Sequence, residues 1–154
     1  MVNTEQIKEL RQRTGISVAQ CKTALEEAGG DMAKALEALK AKGAEIAEKK
    51  ASRELHAGTI QAYVHAGGAI ASLVQLSSES DFVAKHPDFI VLAQDLAMQI
   101  SACEPQTVVE LLSQPYIKDP NLSVDDLIKQ ATQKFGERLQ VERFVRFSTA
   151  DNLS

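Results

Sequence analysis

Gly58-Thr59-Ile60-Gln61-Ala62-Tyr63-Val64-His65-Ala66-Gly67-Gly68, continued by the apolar run Ile70 to Leu76, decides the fold class. Ile60, Ala62 and Val64 alternate with Thr59, Gln61, Tyr63 and His65, the period of two that marks a strand. Ala66-Gly67-Gly68 breaks the run as a turn, and Ile70 to Leu76 supplies a second strand. Together they predict a β-hairpin. Downstream, Phe89, Leu92, Ala93, Leu96, Met98 and Ile100 recur at helical spacing, and the helix is expected to end near Cys103, before Pro105. Val108 to Leu112 predicts a short helix, while Pro115, Pro120 and Asn121 mark loop. Ser123 with Asp126 opens another helix, and Leu139, Val141, Val145 and Phe147 form a third strand. A hairpin followed by helices and a final strand is an α+β fold, with an antiparallel three-stranded sheet packed by helices.

Upstream of the hairpin the period is helical. Ile7 and Leu10 lie three apart on a first helix that Thr14-Gly15 ends. Ser17 and Gln20 have the spacing of a capping box. Cys21, Ala24, Leu25 and Ala28 form the apolar stripe of a second helix, which Gly29-Gly30 closes with left-handed residues. Asp31 caps a third, with Ala35, Leu36 and Leu39 as its stripe. The predicted organisation is a helical module over 1–43, a polar linker helix over 44–56 and an α+β core over 57–154. The linker has one isolated apolar residue, Ile46, and charge pairs Glu45/Lys49 and Lys50/Glu54 four residues apart.

Composition narrows the function. The chain has 154 residues, 44% hydrophobic and 25% charged, as in an ordinary globular protein. Its net charge of −4 argues against general nucleic-acid binding, which calls for a basic footprint. The charge divides unevenly: residues 1–56 hold 10 Lys/Arg against 9 Asp/Glu, residues 57–154 hold 7 against 12. Two lone cysteines, Cys21 and Cys103, with no secretory signal at the N-terminus suit a reducing compartment. No run of about 18 apolar residues could span a membrane. A cytoplasmic protein is expected.

Enzymatic motifs are missing. The sequence holds no phosphate loop, no nucleophile elbow and no zinc-helix motif. His56, His65 and His86 lack metal-ligand spacing with either cysteine. No catalytic residue, metal or cofactor is expected. The residue that invites a function is Phe82, after the acidic and hydroxylic stretch Ser77 to Asp81 at a strand-to-helix junction. In one reading Asp81 is an N-cap and Phe82 is core. In the other, Phe82 is exposed on a turn as an aromatic anchor, a residue type that dominates interface energies.

A resemblance weighs on that choice. Leu10-Arg11-Gln12-Arg13-Thr14-Gly15, Cys21-Lys22-Thr23-Ala24-Leu25, Gly29-Gly30-Asp31 and Lys42-Gly43, followed by Ser78-Glu79-Ser80-Asp81-Phe82-Val83-Ala84, resemble in this order the elongation factor Ts family. That family exchanges nucleotide on the translation GTPase elongation factor Tu. The resemblance implies that the N-terminal helices form a ubiquitin-associated-like module. It also implies that Ser80, Asp81, Phe82 and Val83, matching the family's usual Thr-Asp-Phe-Val, contact the GDP form of the GTPase, with Phe82 inserted beside its magnesium and phosphate site. Arg11, Val18, Ala19 and Lys22 match the family's second contact region, Val18 and Ala19 being smaller than its common Met or Leu. Gly136 to Phe144 resembles the family's closing segment, and with no second core subdomain or coiled-coil insertion the chain is expected to be a short form. The resemblance also implies that such a form pairs two chains through the core sheet, which an unpaired strand edge would permit. Two rival readings remain: a helical adaptor in which residues 1–43 bind alone and Phe82 is silent, and a small enzyme with its site in the sheet.

Overall fold

The computed structural model describes residues 2–151. The chain groups into two compact units, residues 1–52 with 126–137, and residues 53–125 with 138–154.

The first unit is helical. Helix α1 (Thr4–Thr14) starts at Asn3, whose side chain accepts from the Gln6 N–H at 2.8 Å while the Gln6 side chain accepts from the Asn3 N–H at 3.2 Å. This complete capping box was not foreseen. Gly15, at φ +70°, ends the helix. Helix α2 (Val18–Glu27) begins at Ser17, whose hydroxyl accepts from the Gln20 N–H. The reciprocal half of the expected box is not formed; Gln20 Oε1 instead accepts from Gln133 Nε2 at 3.2 Å. Helix α3 (Met32–Lys50) is capped by Asp31, as expected. Leu10, Ile16, Cys21, Ala24, Leu25, Ala35 and Leu39 form the buried cluster of this unit.

Two boundaries differ from the expectation. Helix α3 runs unbroken through Gly43 to Lys50, so the stretch read as a linker is mostly the second half of one helix. Helix α7 (Val124–Phe135), expected within the core, falls largely with the N-terminal helices. Gly43 lies inside α3 and against α7. A Cβ there would lie 3.2 Å from Gln133 Oε1 and 3.5 Å from the Lys129 carbonyl oxygen, so the glycine is where α7 crosses α3. Lys49 pairs with Glu45 at 2.9 Å. Glu54 lies beyond the helix and pairs with His56 at 3.1 Å rather than with Lys50.

The second unit carries an antiparallel sheet in the order β1-β2-β5, made of β1 (Ala57–Val64), β2 (Ile70–Ser78) and β5 (Gln140–Ser148). β1 and β2 are the expected hairpin, with Gly67 and Gly68 at φ +89° and +73°. Helix α5 (Pro87–Cys103) packs on one face of the sheet, where Ser72 donates to the Ala97 carbonyl and Arg146 Nε donates to the Ser101 carbonyl at 3.1 Å. Phe89, Leu96 and Ile100 are fully buried there with Val74 and Leu76. Helix α6 (Val108–Ser113) follows, capped by Thr107. The stretch read as loop forms a small second sheet, β3 (Pro115–Tyr116) with β4 (Asp119–Ser123). The buried Gln99 of α5 holds it, accepting from the Ile117 N–H at 2.9 Å and donating to the Pro115 carbonyl at 3.1 Å.

The apolar alternation of β1 points away from α5. Register places Val64, Ala71 and Phe147 in one cross-strand row, and Ala62, Leu73 and Val145 in the next. Ile60, Val64, Leu73, Val145 and Phe147 are all exposed. Among the described residues no helix is long and apolar enough to cross a membrane.

Candidate functional site

The segment after β2 turns sharply into α4 (Asp81–Ala84), a single helical turn. Ser80, not Asp81, is its N-cap: the Ser80 hydroxyl accepts from the Val83 N–H at 3.3 Å. The Ala84 N–H donates to the Ser80 carbonyl and the Lys85 N–H to the Asp81 carbonyl, closing the turn. One residue earlier, Ser78 Oγ donates to the Ser80 carbonyl at 2.9 Å. The short helix then meets α5, whose first turn starts at Pro87 behind the cap His86.

This geometry sorts the motif's side chains by face. Val83 and Ala84 are buried, while Phe82 is 82% exposed, the most exposed of the large hydrophobic side chains in the described residues. Asp81 beside it is exposed as well. The core reading of Phe82 is therefore wrong: its neighbours fill the interior and leave the ring in solvent. Leaving a Phe so exposed forgoes roughly 1.5–3 kcal/mol of burial.

Glu79, at the root of the turn, is tied down. One carboxylate oxygen accepts from the Arg53 guanidinium at 3.3 Å and the other from the Arg138 N–H at 2.5 Å. Arg138 in turn donates from its guanidinium to the Arg53 carbonyl at 2.6 Å and to Gln140 Oε1 at 2.5 Å. Sequence reasoning quoted Glu79 within the motif but gave it no role, because both partners are distant in the chain.

In the first unit, the other four candidates are all exposed. Val18, Ala19 and Lys22 lie on the first turns of α2, with Val18 50% exposed and Lys22 paired to Glu26 at 3.8 Å. Arg11 is on the last turn of α1 and its carbonyl accepts the Gly15 N–H. Behind them Cys21 is buried, donating weakly to the Ile16 carbonyl, and burial pushes its thiol up from the ordinary range. The structure thus gathers Ser80 to Val83 on one turn of one unit, and Arg11, Val18, Ala19 and Lys22 on the surface of the other.

Comparison with known proteins gives a consistent set of similarities. The model of the family Elongation factor TS matches residues 3–110 and again 79–154. Elongation factor Ts of Carboxydothermus hydrogenoformans is 38% identical over 199 residues, covering 100% of this chain and 92% of that protein. Elongation factor Ts of Desulforamulus reducens is 36% identical, covering 99% of this chain and 91% of its own length. That of Clostridium kluyveri is 40% identical over 153 residues, half of its own length. The first alignment is longer than the 154 residues of the chain, so part of that relative has no counterpart here.

Proposed function

The chain belongs to the elongation factor Ts family of translation elongation factors, and from that membership we propose that it is a cytoplasmic guanine-nucleotide exchange factor, doing no covalent chemistry, for the GDP form of elongation factor Tu. The observation that carries the mechanism is the exposure of Phe82 on a turn whose next two side chains, Val83 and Ala84, are buried. Phe82 inserts into the GTPase beside its magnesium and phosphate site and parts the side chains that support those contacts. Asp81, Ser80 and Val83 shape and present the turn, while Arg11, Val18, Ala19 and Lys22 supply a second contact.

Linkage sets the cycle. A factor that weakens GDP binding by some ratio is itself weakened by GDP in the same ratio, so it leaves as nucleotide rebinds. Acceleration by orders of magnitude needs only a few kcal/mol, since each ~1.4 kcal/mol is tenfold. An aromatic anchor contributes about 2 kcal/mol or more at an interface.

The test is stopped-flow release of fluorescent GDP from elongation factor Tu. Phe82→Ala is expected to slow release about thirtyfold or more while the stability of the chain changes by no more than ~0.5 kcal/mol, because the ring is exposed. Absence of acceleration by the wild type would overturn the exchange reading. Acceleration that survives the substitution would move the mechanism to the N-terminal helices.

We further propose that a second copy of the chain covers the outer face of the sheet. The support is the exposed apolar grid of Ile60, Val64, Leu73, Val145 and Phe147 on three paired strands. The resemblance implies pairing through the core sheet, and the apolar face opposite α5 is the part of that sheet proposed here.

A further inference from the structure

Glu79 stands three residues before Phe82, and its side chain is only 18% exposed. Its two oxygens serve two different donors, the Arg53 guanidinium and the Arg138 backbone N–H. The Arg138 contact is a short hydrogen bond to a charged acceptor, the strong kind, while the Arg53 contact is a longer ion pair from a half-exposed side chain. Arg53 and Arg138 hold special places in the chain. Each is the first residue of a segment of the sheet-bearing unit that follows a segment of the helical unit, Arg53 after Ser52 and Arg138 after Glu137. One carboxylate therefore clips together the two points where the chain enters this unit and the root of the turn that carries Phe82. The Arg138 guanidinium reinforces the clip by donating to the Arg53 carbonyl.

We propose that Glu79 is a positioning residue for nucleotide exchange, acting through Phe82; the inference rests on the exchange reading above. With the root at Glu79 fixed, Ser78 and Ser80 hold the following residues by their own hydrogen bonds, and Phe82 is presented in one orientation. A wedge on a loose root would spend binding energy on being ordered; a wedge on a clipped root does not. An amide cannot replace this carboxylate. Both oxygens face N–H donors, so the NH2 of a glutamine would meet either the guanidinium or the Arg138 N–H.

The test is a double-mutant cycle on GDP release from elongation factor Tu with Glu79→Gln, Phe82→Ala and the double variant, all shown folded by circular dichroism. Glu79→Gln is expected to slow release about tenfold and to add little to Phe82→Ala. In the free protein, amide exchange at residues 80–84 is expected to quicken and the Arg138 amide resonance to shift. A wild-type rate for Glu79→Gln overturns the clip, as does an equal loss in both backgrounds, the signature of a merely structural role. Failure of the wild type to accelerate release overturns the exchange reading itself. Should Glu79→Gln not fold, Arg53→Met removes one arm at a half-exposed side chain. It is expected to slow release about two- to fivefold and to loosen residues 80–84, and an unchanged rate and unchanged amides overturn the proposal.

Discussion

Among the described residues, Tyr116 is placed to give a pH response. Its ring is 6% exposed and its hydroxyl donates to Asp95 Oδ2 at 3.3 Å. Burial first, then the charge of Asp95, holds the phenol well above its ordinary value of 10.0. The unfolded chain therefore ionises first as the solution is made alkaline. The stabilisation from neutral Tyr116 is complete below about pH 10 and is lost progressively above it. Denaturant titrations from pH 8 to 11 are expected to show stability falling above pH 10, and Tyr116→Phe should flatten that fall. Phe82 shows how far single residues were legible. The string Ser-Asp-Phe-Val was recognisable, yet a Phe after an Asp at the start of a helix looks the same whether it enters a core or leaves one. What decides is that Val83 and Ala84 take the interior positions of a helix one turn long. The role of Glu79 left no local trace, since its partners are 26 and 59 residues away.

At the scale of elements, Gly43 gives the sharpest lesson. The first module was expected to end beside it because the stretch that follows is polar, with Ile46 its one isolated apolar residue. The actual use of Gly43 is to let the backbone of α7 approach α3, a tertiary cause with no signature in the neighbouring sequence. Gly43→Ala is expected to stay within about 1 kcal/mol of the wild type in urea unfolding, the gain in helix propensity offsetting a tight contact with Gln133. Gly43→Leu should cost about 1–3 kcal/mol by overpacking the crossing. The strands were legible in place and pairing, because period two and the Gly-Gly turn are local. The face they bury was not. In β1 the apolar residues alternate cleanly but look outward, while Thr59, Gln61 and Tyr63 share the α5 side with Ser72, Val74 and Leu76. Alternation announces a two-faced strand and is silent on which face the helix covers. The β3–β4 pair escaped for another reason: it depends on hydrogen bonds from Gln99, far along α5.

At the scale of the whole molecule, the uncovered sheet face makes a prediction about mass. Sedimentation velocity at tens of micromolar is expected to give twice the chain mass for the wild type. Leu73→Glu, which sets a charge on the central strand between Ala62 and Val145, should give the monomer. A monomeric wild type at that concentration would rule out the second copy. The interleaving of the two units bears on a different matter, the order in which the chain is made. The helical unit joins its N-terminal helices to residues 126–137, while the sheet waits for β5 at Gln140–Ser148. Neither half can be finished while the ribosome is still building the middle. Late closure of this kind replaces early local contacts with distant ones and slows assembly. A chain built this way has neither unit finished until residues 126–148 have been made, so a break anywhere before residue 126 would disable both units at once.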